Sequence, residues 1–200
     1  MNILTDSLPD AVMVDGVVYP VNTSFKVCLR IMAACEDNEL TNGEKATVML
    51  RLLYGENIPA NTEEALRMAS KFLDGGDQER GKGKAEAANE GRLYSFVHDA
   101  SYIFSAFKQS HDIDLEQEEQ LHWWKFLTLF FDLNPDCFFH RLINLRRNLY
   151  RGKLTKEERE LYLSIKHIVD LPVSSSEADR EEDEFLRLLR EGVEKRASTV

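Results

Sequence analysis

The chain has 200 residues, with 35 Asp and Glu against 25 Lys and Arg and a formal charge of −10. That length supports a hydrophobic core without disulfide or metal staples. The acidic balance argues against broad attraction to nucleic acid or to anionic lipid.

The N-terminal region alternates Ala11-Val12-Met13-Val14, Asp15-Gly16 and Val17-Val18-Tyr19. An Asp-Gly pair between β-branched runs supplies the positive φ angles of a tight hairpin, which Pro20 closes. Thr23 or Ser24 can cap a helix to about Asp37, with Phe25, Leu29 and Met32 inward and Cys28 and Cys35 beside them. Thr41 and Glu44 have capping-box spacing and open a helix that carries Val48, Leu52 and Leu53 inward and stops at Gly55. Asn61 and Glu64 repeat the spacing ahead of a third helix through Ala65, Met68, Ala69, Phe72 and Leu73, ended by Gly75-Gly76. Residues 76–92 are rich in glycine, alanine and mixed charge and lack a large apolar side chain until Leu93, so they read as a flexible linker.

Beyond it, Leu93, Phe96, Val97, Tyr102, Ile103 and Phe107 predict a helix. Asp114 with Gln117 is expected to open the most apolar helix, through Trp123, Trp124, Phe126 and Phe130. Pro135 fits the first turn of the next helix, which carries Phe138, Phe139, Leu142 and Leu145 and ends near Gly152. Thr155 and Glu158 form a further capping box before Leu161, Tyr162, Ile165 and Ile168. Residues 173–200 are strongly charged with Phe185, Leu186, Leu188 and Leu189 clustered, and read as an amphipathic helix that docks weakly or waits for a partner.

The expected fold is therefore mainly α: a small N-terminal β-hairpin, a multi-helix orthogonal bundle, a flexible internal linker and a C-terminal charged helix. Its divisions are residues 1–75, 76–92, 93–172 and 173–200. Cys28, Cys35 and Cys137 lack the spacing of a secreted disulfide framework, so reduced thiols and a cytoplasmic setting are expected. No signal-peptide pattern opens the chain, and its longest apolar stretch, Leu121 to Leu133, is interrupted by Lys125, Thr128 and Asp132, so no membrane span is expected.

Catalytic chemistry finds little support. Cys137-x-x-His140 places two ligand types one helical turn apart, but a structural zinc site needs four ligands and no second pair of matching spacing exists. His98-Asp99 and His111-Asp112 are adjacent, so neither pair shares a helix face as a chelate or acid–base couple. Gly81-Lys82-Gly83-Lys84 lacks the strand and hydroxyl of a phosphate loop. Arg141, Arg146, Arg147, Arg151 and Lys153 fall together without an acid; they read either as an anion or acidic-partner site or, preferably, as cations complementing a helix C-terminus. Trp123 and Trp124 cannot share one helix face, so one is expected in the core and the other on a partly exposed binding surface.

Leu121-His122-Trp123-Trp124-Lys125-Phe126, preceded by Asp99 to Phe107 and by Asp112-Ile113-Asp114-Leu115, resembles the signature of a bacteriophage tail family known by its type member, gene product fifteen. Asp15 to Phe25 and Leu53-Tyr54-Gly55 ahead of Ile58-Pro59 resemble it too, so the likeness spans about Leu8 to Leu149. The resemblance implies a non-enzymatic protein of long-tailed phages, encoded beside the tape-measure protein and working in the cytoplasm of the bacterial host. It brings no cofactor, metal or catalytic residue. The leading expectation is a chaperone that coats the tape-measure protein and engages other tail proteins, with Trp123, Trp124, Phe126, Arg146, Arg147, Phe185 and Leu189 as contact residues. No small-molecule substrate, nucleic acid or membrane is expected as a partner; a homo-oligomer remains open. Alternatives are a structural component of the mature tail and a helical nucleic-acid-binding regulator using the Arg141 to Lys153 cluster.

Overall fold

A computed structural model describes residues 4–76 and 92–172. The expected linker and charged tail, including Phe185 and Leu189, lie outside the described residues apart from Gly76 and Arg92. The described chain is mainly helical with a single antiparallel hairpin at its start. Its elements are β1 (Ala11–Val14), β2 (Val17–Pro20), α1 (Phe25–Glu36), α2 (Asn42–Tyr54), α3 (Thr62–Leu73), α4 (Ala100–His111), α5 (Trp123–Phe131), α6 (Phe138–Tyr150), α7 (Lys156–Ser164) and α8 (Lys166–Val169). They fall into two compact units: residues 4–22 and 30–72 in the first, and residues 23–29, 73–76 and 92–172 in the second.

In the first unit, Asp15 and Gly16 take φ of 50° and 79°, the left-handed pair that a two-residue hairpin turn needs. Val14 then pairs with Val17, and Met13 with Val18. Side chains alternate across the ribbon, so Val14 is buried while Met13 faces water. The strand exit is tied down where the Asn22 N–H donates to the Leu53 carbonyl at 2.8 Å. Thr41 and Glu44 form the expected capping box, each satisfying a backbone N–H of the other's turn. Gly55 ends α2 with φ of 62°. The buried stripe of α2 is Met49, Leu50, Leu53 and Tyr54, rotated from the expected Val48, Leu52 and Leu53 because Tyr54 turns inward. Its hydroxyl donates to the Ala65 carbonyl at 2.8 Å, so the ring is buried without stranding its polar tip. Burial, and then the nearby Glu64, push that phenol up to about 12.

The second unit is built on an aromatic stack. Phe126 is fully buried and lies near-parallel to Phe107, Phe25 and Trp123 at centroid distances of 4.9, 5.3 and 5.4 Å. Such pairs contribute about 0.5–1.5 kcal/mol each beyond area burial. The Trp123 indole N–H donates to the Leu73 carbonyl at 2.8 Å, which lets the largest side chain of the core be buried with its donor satisfied. A second cluster gathers Leu142, Leu145 and Val169, with Tyr102, Leu149, Tyr162 and Ile168 packed around it.

Three helix starts differ from expectation. The Asp114 carboxylate accepts from Glu116 N–H at 3.0 Å and closes a local turn, and α5 begins later, where His122 Nδ1 accepts from Trp124 N–H at 3.0 Å. Residues 116–120 are all polar and offer no side chain to a core, so the helix waits for Trp123. Pro135 lies in the turn before α6 rather than in its first turn; the cap is Cys137. Helix α4 starts at Ala100, because the Asp99 carboxylate accepts from Ser95 N–H and holds residues 95–99 as a separate turn.

Candidate interaction surfaces

The second unit carries an open cavity of about 330 Å³. Buried Phe126 and Phe25 form its floor, Phe96, Ile103 and Leu115 wall it, and its rim includes Leu29 and the exposed Ala100, Phe104 and Glu116. The wall and rim positions follow from local structure. Ala100, Ile103 and Phe104 stand three and four apart on α4, and so share one face. Phe25 is drawn against α5 because its N–H donates to the Leu121 carbonyl at 3.0 Å while Trp123 N–H donates to the Thr23 carbonyl at 2.7 Å. Phe104 is 40 % exposed, so an aromatic ring at the rim meets water. A space of this size with an apolar lining has room for a large apolar side chain.

A second apolar feature belongs to the first unit. Met13 and Val18 are cross-strand partners and are 59 % and 62 % exposed, with Ala11 and Pro20 continuing the same face. Further exposed apolar residues on α5, α6 and α7 include Phe131, Phe138 and Leu163.

The residues singled out from the sequence are distributed differently. Trp123 and Phe126 are core residues, at 1 % and 0 % exposure, and Phe126 reaches the surface feature only as the floor of the cavity. Trp124 is the half-buried indole of the pair, packed close to Gly76. Arg146 does not belong with the surface cations: it is 1 % exposed, and its guanidinium binds the fully buried Asp99 carboxylate bidentately at 2.7 and 2.9 Å. The same group donates to the carbonyls of Leu93, Ile168 and Val169 at 3.1, 2.9 and 2.7 Å, so five contacts match its five N–H donors. Leu142, Arg146 and Leu149 stand at i, i+4 and i+7 on α6; a charge inside an apolar stripe was the signal that separated Arg146 from its neighbours. Arg147 bonds Asn144 at 2.8 Å, and Arg141, Arg151 and Lys153 are exposed.

Cys137 and His140 meet through a side chain to backbone contact. The Cys137 sulfur accepts from His140 N–H at 3.4 Å as the cap of α6. Among the described residues, no group of three or more His, Cys, Asp or Glu is placed to hold a metal ion, and no helix is long and apolar enough to cross a membrane.

These features define the chain as a mainly helical protein with an aromatic core, whose accessible features are apolar surfaces of side-chain dimensions. The family model described as bacteriophage Gp15 protein matches residues 4–171, and the chain belongs to that family. Membership marks it as a phage-related structural or assembly protein. No curated protein and no solved structure matches the chain.

Proposed function

We propose that this protein is a non-catalytic tail assembly chaperone that binds apolar helices of the tape-measure protein in the host cytoplasm until tail-tube subunits enclose it. The observation that carries the reading is the open apolar cavity of the second unit, with Phe104 at its rim. A long apolar client aggregates when bare, and a surface that takes up single large side chains masks it reversibly. The exposed Met13–Val18 face adds a second apolar contact area on a separate unit. No cofactor or small-molecule substrate enters this reading, and Arg141, Arg147, Arg151 and Lys153 serve as ordinary surface cations.

Co-expression with the tape-measure protein tests it. Increased client solubility and co-purification, with absence of the chain from finished particles by mass spectrometry, are the expected results. An unchanged client together with no co-purification overturns the chaperone role, and stoichiometric presence in particles assigns the chain to the mature tail instead.

A further inference from the structure

The cavity has a charged edge that narrows the kind of segment it accepts. Glu116 is the charged member of its lining among the described residues. It opens the stretch Glu116-Gln117-Glu118-Glu119-Gln120, which leads from the wall residue Leu115 to Leu121, the residue whose carbonyl holds Phe25. Glu116 therefore sets a carboxylate at the border of the apolar opening, and Glu118 and Glu119 follow it in the chain. Lys26 is the neighbouring cation, and its ammonium donates to the backbone carbonyl of Glu116 at 3.0 Å rather than to a carboxylate. Among the described residues, the side chains of Glu116, Glu118 and Glu119 form no ion pair or hydrogen bond. Glu116 and Glu119 are exposed, and Glu118 is half-buried. Asp114, at the start of the turn, spends its carboxylate on Glu116 N–H and on the Gln117 amide.

We infer that this cavity is a docking site for an amphipathic helix of a partner protein that presents a large apolar anchor flanked by Lys or Arg. The anchor fills the space above Phe126 and against Phe104, and the flanking cations meet the carboxylate of Glu116 and those of Glu118 and Glu119 that follow it. Complementary charge at the border of an apolar site steers the partner and rejects acidic segments more than it adds affinity. The inference rests on the chaperone reading and specifies the chemistry of the client segment.

The test uses the full chain and a fluorescein-labelled amphipathic helical peptide with a Leu and Phe face flanked by Lys, beside a twin carrying Glu in place of Lys. Fluorescence anisotropy at low salt is expected to favour the Lys peptide by about tenfold, a preference that shrinks as salt screens exposed charge. Phe104→Ala is expected to weaken binding by about tenfold, as loss of an aromatic contact does. The triple change Glu116→Gln, Glu118→Gln, Glu119→Gln is expected to leave an affinity for the two peptides that is nearly equal. Phe131→Ala, an exposed aromatic outside the lining, serves as the matched control and is expected to change nothing. Equal affinity of the wild-type chain for both peptides overturns the inference, as does a loss in Phe131→Ala equal to that in Phe104→Ala. A gain in peptide affinity on Phe185→Asp with Leu189→Asp overturns it as well, by giving the site to the chain's own carboxy-terminal stretch. Recovery of the tape-measure protein by Phe104→Ala at wild-type level removes the docking site while leaving the chaperone role; recovery by neither form removes the role itself.

Discussion

Replacing Arg146 by Met is expected to unfold the second unit while leaving its apolar surface nearly complete. The substitution keeps much of the side-chain volume but abandons Asp99, whose carboxylate is fully buried and still accepts from the Ser95 N–H. Breaking a buried pair by removing one partner costs about 3–5 kcal/mol. The Val169 carbonyl, in a residue 1 % exposed, loses its donor as well, and one orphaned buried acceptor adds about 1–3 kcal/mol. The sum of about 4–8 kcal/mol is comparable to the whole stability of an ordinary domain, about 5–15 kcal/mol. Arg146→Lys keeps the charge but cannot span Asp99 and three carbonyls with one ammonium, so it is expected to fall between wild type and Met. Both tryptophans of the chain, Trp123 and Trp124, lie in this unit, so urea denaturation followed by intrinsic fluorescence reports on it directly. The double change with Asp99→Asn is expected to cost clearly less than the sum of the single changes, since each already forfeits the same pair. A loss below about 1 kcal/mol for Arg146→Met, or additivity of the two changes within about 0.5 kcal/mol, would refute the reasoning.

Gly76→Ala is expected to destabilise the same unit by about 1–3 kcal/mol, because φ is 77° and an added Cβ would collide with the Trp124 indole; a shift in tryptophan emission and in the urea midpoint checks it. The capping carboxyls Glu44 and Glu158 are held below the ordinary value of 4.5, chiefly by the backbone N–H groups of Thr41 and Thr155. A lowered folded-state pKa means their contribution is present above the unfolded value and is lost as pH falls through the folded one. Glu44→Gln and Glu158→Gln should therefore lower stability at pH 7 and converge with wild type in acid, read by circular dichroism melts. In native protein a soluble disulfide reagent is expected to label Cys35 first. Cys28 is buried with its thiol pushed up to about 12, and Cys137 is buried beneath the start of α6; rapid labelling of Cys28 would contradict its packing.

The features carried by local chemistry were legible in the sequence. Asp15-Gly16, the Thr41–Glu44 and Thr155–Glu158 boxes, and the stops at Gly55 and Gly75-Gly76 each depend on a few neighbouring residues, and the hairpin and helices follow from them. What local pattern could not reveal is who answers a polar group from far along the chain. Asp114 with Gln117 has the spacing of a helix start, yet it closes a turn, because α5 gains its anchor only where Trp123 and Phe126 meet Phe25 and Leu73. Arg146 stands out from the other cations by its place in the apolar stripe of Leu142 and Leu149, but its partner Asp99, distant in sequence, is supplied only by the fold. The cavity was invisible for the same reason, since Phe25, Ile103, Leu115 and Phe126 come together only in the fold.

The interleaving of the two units in the chain has a consequence for synthesis. Thr23 to Leu29 belong to the second unit, whereas the chain from Arg30 to Phe72 belongs to the first. Ser24 and Phe25 find their partners at His122 and Leu121 only about a hundred residues later, which at roughly 5–20 residues per second is a wait of several seconds. During that interval Phe25 has left the ribosome without the stack that will bury it. No single cut separates the units, so a fragment ending at Phe72 would carry an orphaned Phe25, and one beginning at Leu73 would lack part of the cavity floor.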